Sequence, residues 1–420
     1  MPVDDTLQPA AEMAVHQPAN PVSDTFPARR GFSGRRDALI LRLCRTWLAD
    51  AAHGRLHLVL PSGLSARIGN GGAGPEASLS LANFRPVWNI WRRGALGFAE
   101  SYMTGDVGTA DLKALLQYFV ANETALTAAG RDIYRTRLHD RLYHRLRANT
   151  PRGSRRNIAH HYDLGNRFYE LWLDTGMTYS SGLFTRPAMT LADAQAAKIA
   201  RIIDALDLSP GQSLLEIGCG WGGFAEAATR AGARVTGITL SAEQLAYARA
   251  RPGQTAELRF EDYRATSGAF DRLVSIEMIE AVGEAHWPAY FRMLSDRLAA
   301  GGVAVLQAIT IAPQHFPAYR RKADFIQRYI FPGGMLPTTA IMAEQAHAHG
   351  LGFETVETFA DSYVRTLVEW RRQFRDAWPA IRELGFDDRF RRMWEYYLTY
   401  CEVGFEDRSI DVGIYRLVKC

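Results

Sequence analysis

A short apolar strand that runs into a glycine-dense turn and then into an alanine-rich helix constrains this chain more than any other feature. Residues 214–225 read LLEIGCGWGGFA. Gly218, Gly220 and Gly222 let the backbone turn sharply and approach a bound cofactor without interference from a Cβ atom. Such glycines also occur at ordinary turns between a strand and a helix, so the motif alone does not identify a cofactor.

The residues that follow repeat the alternation of strand and helix. Strands are predicted at 234–239, just before Asp262, at 270–277 and at 302–311, and the alternating stretch 410–417 predicts a final antiparallel strand. Together with the glycine turn, this pattern predicts an α/β fold whose cofactor lies across the strand ends. The expected architecture is the Rossmann-like, seven-stranded sheet of class I methyltransferases.

Composition places further limits on the chain. It has 420 residues, of which 47% are hydrophobic, enough for a large core and two domains. The net charge of +4 does not indicate nucleic acid binding but suits work at an anionic membrane surface. The four cysteines form no C-x-x-C pair, so we expect no metal site and expect the protein to be located in the reducing cytoplasm. We found no apolar run of membrane-spanning length and expect no secretory signal in residues 1–30.

The pattern of residues divides the chain into four parts. Residues 1–34, rich in Pro and Ala, predict a disordered tail, and residues 35–130 predict a small mixed α/β domain. Residues 131–156 carry nine arginines interleaved with leucines and predict a basic linker helix. That helix is either a solvated linker or a contact with lipid head groups. Residues 157–420 contain the glycine turn and form the predicted catalytic domain.

The predicted catalytic domain resembles the cyclopropane-fatty-acyl-phospholipid synthases, a family that includes enzymes modifying mycolic acids. The matching stretches are 161–163, 178–180, 215–223, 236–241, 271–283, 329–337 and 396–401. A looser match at 94–103 implies that residues 35–130 are the small lipid-binding domain of bacterial members. The resemblance implies methyl transfer from S-adenosylmethionine to a cis double bond of a phospholipid acyl chain, with a cyclopropane as the default product.

The resemblance also implies where such an enzyme works and with what. Its partners would be unsaturated acyl chains and the phospholipid surface at the inner face of the membrane, and a homodimer is a further candidate assembly. Three alternatives remain: methyl branching without ring closure, N-methylation of a small molecule, and a lipid-binding protein without catalysis. The N-terminal domain and the basic helix argue against the second, and the intact glycine motif argues against the third.

Cofactor contacts are assigned through the resemblance. It places Tyr179, Ser180, Gly218 and Gly220 at the cofactor, with Thr239 and Gln244 near the ribose and Asp262 and Tyr263 beside the adenine. The stretch from Thr239 to Ser241 could instead cap the following helix. Because methyl transfer leaves a cation on the acyl chain, the site must be dry, and Tyr329, Phe331 and Met335 are candidates for its lining.

Members of the resembled family hold a bicarbonate ion as the base, and this chain departs from their pattern. The corresponding residues here are Glu280, Tyr363, Ile309, Ser181 in place of Cys, and Gln307 in place of His. Ala281 replaces a common His, and Glu277 replaces a small residue. A glutamine cannot carry the positive charge of an imidazole, and an added carboxylate makes the pocket less hospitable to an anion.

These departures suggest a role for Glu277. If residues 277–280 are helical, the carboxylates of Glu277 and Glu280 share one side of the helix, repel each other, and one pKa rises. We hypothesise that Glu277 replaces bicarbonate as the base or redirects deprotonation. The alternative is that Glu277 binds the amino group of the cofactor or a nearby arginine.

Overall fold

The computed structural model describes residues 34–128, 164–321 and 323–419, in which two separate sheets are formed. The predicted tail apart from Gly34, the predicted linker helix at 131–156 and the motif at 161–163 lie outside the described residues.

The N-terminal unit is a four-stranded sheet with helices packed against it. The strand order is β2-β1-β3-β4. Its elements are α1 (Gly34–Trp47), β1 (His53–Val59), β2 (Ser65–Ile68), β3 (Gly72–Leu81), α2 (Arg85–Met103), β4 (Val107–Gly108), α3 (Leu112–Ala121) and α4 (Glu123–Ala128). In β1, buried Leu56 and Leu58 alternate with exposed neighbours because successive side chains of a strand point to opposite faces. Asp111 starts α3 by accepting hydrogen bonds from two free amides of its first turn.

Helix α2 folds back on itself at Gly94, where the backbone takes φ 55° and ψ −134°. The side-chain amide of Asn89 lies 3.0 Å from the Ser101 hydroxyl, whereas twelve residues of straight helix would span about 18 Å. At Gly97 a Cβ atom would lie 2.1 Å from the Asn89 carbonyl oxygen. Glycine at both positions therefore permits a tight helical hairpin.

The catalytic unit is built on a seven-stranded sheet of order β10-β11-β9-β8-β5-β6-β7, in which β11 is antiparallel to both of its neighbours. The strands are β5 (Ser213–Ile217), β6 (Arg234–Thr239), β7 (Glu257–Phe260), β8 (Phe270–Ile276), β9 (Leu298–Ile311), β10 (Leu351–Thr358) and β11 (Ile410–Lys419). The helices are α5 (Asn166–Glu170), α6 (Leu191–Ala205), α7 (Gly223–Arg230), α8 (Ala242–Ala250), α9 (Trp287–Arg297), α10 (Phe316–Tyr319), α11 (Thr339–Ala348), α12 (Ala360–Asp376), α13 (Trp378–Glu383) and α14 (Asp388–Glu406).

This sheet confirms the predicted fold class and the six strands located from the sequence. The seventh, β10, was not located, since it is an edge strand whose side chains do not alternate between buried and exposed. The aromatic stretch after β9 lies outside the sheet and contains a π-helical turn, Ile326–Ile330.

The two units meet along α14. The rings of Phe98 and Tyr102 in α2 pack against Tyr396 at centroid distances of 6.3 and 5.8 Å. From α3, the Lys113 ammonium lies 2.7 Å from buried Glu402, whose other oxygen lies 2.8 Å from the Arg371 guanidinium of α12. This buried ion triad ties the N-terminal unit to two helices of the catalytic unit.

Within the described parts of the chain, no helix is long and apolar enough to cross a membrane. The same residues contain no group of His, Cys, Asp and Glu side chains suited to a metal ion.

Candidate active site

The candidate site lies at the carboxyl ends of β5 and β8. The chain leaves β5 for β6 and β7 on one side and later returns to β8 and β9 on the other, so the strand order reverses at this point. In open parallel sheets, ligands bind in the crevice that such a reversal creates. The turn after β5 carries the three glycines, and the turn after β8 carries Glu277 and Glu280.

The three glycines of the first turn all take positive φ angles. The values are 81° at Gly218, 51° at Gly220 and 83° at Gly222, a region that side chains with a Cβ rarely adopt. A Cβ atom on Gly220 would meet no atom within 4 Å. Open space at a glycine turn ahead of α7 fits a nucleotide-like cofactor whose backbone contacts come from this turn.

The segment after β6 brings Thr239 and Gln244 together. The buried Thr239 hydroxyl donates to the Gln244 side-chain oxygen at 3.2 Å, while Ser241 caps α8 through the Gln244 amide. Ser241 is therefore a helix cap, as the alternative held. Thr239 and Gln244, the two predicted ribose contacts, are hydrogen-bonded to each other at the carboxyl end of β6.

Past β7, the carboxylate of Asp262 accepts from the Arg264 guanidinium at 2.7 Å. The buried ring of Tyr263 packs edge-on against Tyr290 at 5.5 Å. Their predicted contacts with adenine stay predictions.

Glu277 does not lie on a helix, so the condition under which it would share a helical face with Glu280 is not met. It directly follows β8 with φ 48°, and only Ile279–Ala281 forms a 3-10 turn. Its amide donates to the Gln307 carbonyl at 2.7 Å, which extends the pairing of β8 with β9 and turns the side chain back toward the site.

Three donors converge on the Glu277 carboxylate. The Ser181 amide lies 2.9 Å from it, the Gln307 side-chain amide 2.7 Å and the Tyr363 hydroxyl 2.7 Å. Burial raises the pKa of Glu277, and these hydrogen bonds act in the opposite direction. Three residues that the resemblance assigned to an anion thus hold a side-chain carboxylate.

Glu280 has a different environment from Glu277. One of its oxygens accepts from the Ile309 amide at 2.5 Å, and the other is buried with no hydrogen-bond partner among the described residues. Burial, and then the nearby charge of Glu277, raises the pKa of Glu280 to about 8. The carboxylates still influence each other, as expected, although they do not share a helix.

Lys198 is a site residue that the sequence reasoning missed. Its ammonium is fully buried in α6 and donates to the Ser180 hydroxyl at 2.7 Å. Burial lowers the pKa of Lys198 to about 8, against the opposing charges of Glu277, Asp174 and Glu216. Lys198 and Gln195 interrupt the buried stripe of α6, and polar residues on an otherwise apolar helix face are a signal that could have revealed them.

Aromatic rings enclose this side of the site. The Tyr179 ring lies 5.2 Å from Trp370, and its hydroxyl lies 2.9 Å from the Tyr397 hydroxyl. Phe331 packs edge-on against Tyr397, and the Met335 amide donates to the Glu280 carbonyl. Phe331 and Met335 therefore lie beside the site, and their role as its lining stays a prediction.

Tyr329 has a different position from the one predicted for a lining residue. Its hydroxyl donates to Glu100 of the N-terminal unit at 2.5 Å. It therefore joins the aromatic stretch after β9 to helix α2.

Comparison with known proteins gives the family of this chain. The model of the mycolic acid cyclopropane synthetase family matches residues 149–414. Tuberculostearic acid methyltransferase UfaA1 of Mycobacterium tuberculosis is 37% identical over 94% of this chain and 96% of its own length. Cyclopropane-fatty-acyl-phospholipid synthase of Escherichia coli is 36% identical over 60% of this chain and 65% of its own length.

Solved structures show the same relationship. The crystal structure of mycolic acid cyclopropane synthase CmaA1 complexed with SAH and CTAB is 31% identical, with a TM-score of 0.58 over 63% of this chain and 98% of that one. At 20% identity, coclaurine N-methyltransferase shares the fold alone, with a TM-score of 0.59. The chain belongs to the mycolic acid cyclopropane synthetase family of S-adenosylmethionine-dependent methyltransferases, which act on lipid acyl chains.

Proposed function

We propose that this enzyme methylates a cis double bond in the acyl chain of a membrane phospholipid and that Glu277 takes up the proton that is then released. The observation that carries the proposal is the Glu277 carboxylate, held by three donors at the carboxyl end of β8. When bound, S-adenosylmethionine supplies an electrophilic methyl group. The residues that would hold it are the glycines after β5 and the pair Thr239 and Gln244, which supports the proposal through their positions at the strand ends.

Glu277 is better suited than Glu280 to accept a proton. Glu280 keeps its own proton up to a pH of about 8. Burial raises the pKa of Glu277 as well, but its hydrogen-bond donors and the buried charge of Lys198 act in favour of its ionised form. A base acts only when it is deprotonated at the working pH. The two carboxyl groups thus divide into a base and a neutral neighbour that does not compete for the proton.

The chain's aromatic residues protect the reaction from water. Addition of a methyl group to an alkene leaves a positive charge on the acyl chain, which water would capture if it entered the site. The rings of Tyr179, Trp370, Tyr397 and Phe331 present apolar, electron-rich faces that exclude water and favour a cation.

The product depends on which proton Glu277 removes. Loss of a proton from the added methyl group closes a cyclopropane, the default expected from the sequence. Loss from a neighbouring chain carbon leaves a methyl-branched alkene. Two observations favour this second product. The carboxylate of Glu277 belongs to the chain and is held by the Ser181 amide, whereas a bound bicarbonate ion could move within the site. A relative that matches almost the entire chain is named a methyltransferase.

The test is expression in a bacterium that lacks cyclopropane fatty acids, followed by mass spectrometry of its phospholipid acyl chains. We expect a mass gain corresponding to one methylene group, present as a ring or a branched alkene. In Glu277→Gln, the side chain keeps an acceptor for Ser181 but cannot take up a proton, so turnover should fall about 10²- to 10⁴-fold.

Glu284→Gln, a partly exposed glutamate on the same side of the sheet, is the matched control and should keep full turnover. Full turnover with unchanged product in Glu277→Gln would remove Glu277 as the base. Unchanged lipids despite measured S-adenosylmethionine binding would overturn the proposed substrate.

A further inference from the structure

Two tryptophan side chains are exposed on the first half of α2. Trp88 and Trp91 are 55% and 58% exposed, and their rings stack at a centroid distance of 4.7 Å. The Arg92 guanidinium lies over the Trp88 ring at 5.8 Å. Tryptophan combines a large apolar ring with a polar N–H group, so an exposed pair at one place marks a binding surface.

Basic residues share this face of the helix. Arg85, Trp88 and Arg92 follow one another at three- and four-residue spacing, which places them on one side, with Trp91 adjacent. Arg85 and Arg92 are exposed, and neither guanidinium has a carboxylate partner among the described residues. The one acidic residue of α2, Glu100, lies beyond the Gly94 reversal and is paired with Arg93. We call Arg85, Trp88, Trp91 and Arg92 the Trp–Arg face.

The hairpin holds the Trp–Arg face away from the core. The second half of α2 buries Phe98, Tyr102 and Met103. The tight contact between Gly97 and Asn89 fixes the first half on the outside of the second. The face is therefore part of a rigid element, although its apolar rings remain in solvent.

We propose that the Trp–Arg face binds the interfacial region of an anionic phospholipid membrane. This rests on the proposed function, because acyl chains of membrane phospholipids are reached only at such a surface. Aromatic rings at the level of the head groups, flanked by arginines that attract anionic lipids, are the chemistry by which amphipathic helices bind membranes.

The same helix connects the face with the candidate site. Beyond the reversal at Gly94, Glu100 accepts a hydrogen bond from the Tyr329 hydroxyl. Two residues after Tyr329, Phe331 packs against Tyr397 beside the candidate site. A membrane bound at the Trp–Arg face would thus lie against helix α2, whose second half contacts the aromatic stretch after β9 in the catalytic unit.

Charge argues against a second occupant from this chain. Residues 131–156 carry nine arginines, which the Trp–Arg face would repel. A second copy would place identical arginines close to each other if the face paired with itself. An anionic membrane is the partner that the charge and the aromatic rings both fit.

The experiment is co-sedimentation of the full chain with vesicles of phosphatidylethanolamine and phosphatidylglycerol, with phosphatidylcholine vesicles for comparison. Trp88→Ala/Trp91→Ala should weaken binding by about tenfold or more, and Arg85→Glu/Arg92→Glu should do so mainly at low salt. The controls are Leu384→Ala and Arg382→Glu, exposed residues on α13 and just after it, which should bind as the unaltered protein does. Methylation of phospholipid in detergent micelles should be unchanged in every variant.

Vesicle binding by Trp88→Ala/Trp91→Ala equal to that of the unaltered protein would overturn the proposal. So would conversion of a dimer to a monomer in that variant, because the face would then join two copies. If the unaltered protein binds vesicles through this face yet methylates lipid in neither vesicles nor micelles, the proposed function fails and the surface assignment stands.

Discussion

Glu277 occupies a backbone conformation that glycine adopts more readily than any other residue. Its φ of 48° and the three donors around its carboxylate are independent features of one position. Glycine at 277 would therefore remove the carboxylate without straining the backbone and would leave three hydrogen-bond donors around a small space.

We expect Glu277→Gly to fold without backbone strain and to be inactive in buffer free of small carboxylates. Formate or bicarbonate should restore part of its activity, because either anion can accept from the same donors. Alanine at this position strains the left-handed backbone. The activity of Glu277→Ala should therefore also be restored by these anions, but this variant should melt at a lower temperature than Glu277→Gly. The measurement is turnover against anion concentration, with the melting temperature of each variant. A lack of rescue at any concentration, with cofactor binding intact, would mean that the donors do not form an anion site.

Lys198 is a buried cation whose charge favours the ionised form of Glu277. A nearby cation favours the carboxylate, so loss of Lys198 should raise the pKa of Glu277 further. A base with a higher pKa is ionised only at higher pH. In Lys198→Met the acidic limb of the pH–activity profile should therefore move upward by about one pH unit or more.

Ser180→Ala is the control for the Lys198 prediction, because it removes the hydrogen bond at 2.7 Å and leaves the charge in place. Its acidic limb should shift less than that of Lys198→Met. An identical limb in Lys198→Met and the unaltered protein would contradict the electrostatic role.

At the scale of elements, the hairpin in α2 depends on a close approach of two backbone segments. A Cβ atom at Gly97 would meet the Asn89 carbonyl at 2.1 Å. Gly97→Ala should force the two halves apart and lower the free energy of unfolding by about 2–4 kcal/mol. Ala95→Gly, at an exposed helical position, should cost only about 1 kcal/mol. Thermal unfolding of both variants tests this, and equal small losses would show that the hairpin tolerates separation.

The sequence predicted elements whose signals are local. The glycine turn after β5 and the strand β6 depend on residues that are neighbours in the chain, and both are confirmed. The hairpin at Gly94 and the left-handed Glu277 depend on contacts with distant residues such as Ser101 and Gln307, which no local pattern records. For the same reason the assembly of Ser181, Gln307 and Tyr363 at one anion site came only from family resemblance, and the contacts of Glu277 with them came only from the structure.

At the scale of the whole molecule, the buried ion triad of Lys113, Glu402 and Arg371 ties the N-terminal unit to the catalytic unit. Lys113→Met would leave Glu402 with Arg371 as its remaining cation at this junction. We expect a loss of about 1–3 kcal/mol in unfolding free energy and faster proteolysis of residues 34–128. Arg55→Met, which removes an exposed pair with Glu76, should cost at most about 1 kcal/mol. Equal effects of the two changes would show that the triad does not hold the units together.

The position of β11 in the sheet has a consequence for the order in which the catalytic unit folds. β11 pairs with β9 across about a hundred residues of chain, as in Ile410 with Ile311, and β10 touches the sheet only through β11. Contacts so distant in the chain form late, because the loop between them must first be closed. Pulse-labelled hydrogen exchange during refolding should protect β5 and β6 before β11, and simultaneous protection would contradict this order. The edge of the sheet at which we expect the cofactor would then form early. Tyr363 lies on α12, which follows β10, so its hydroxyl would reach Glu277 only when the sheet is complete.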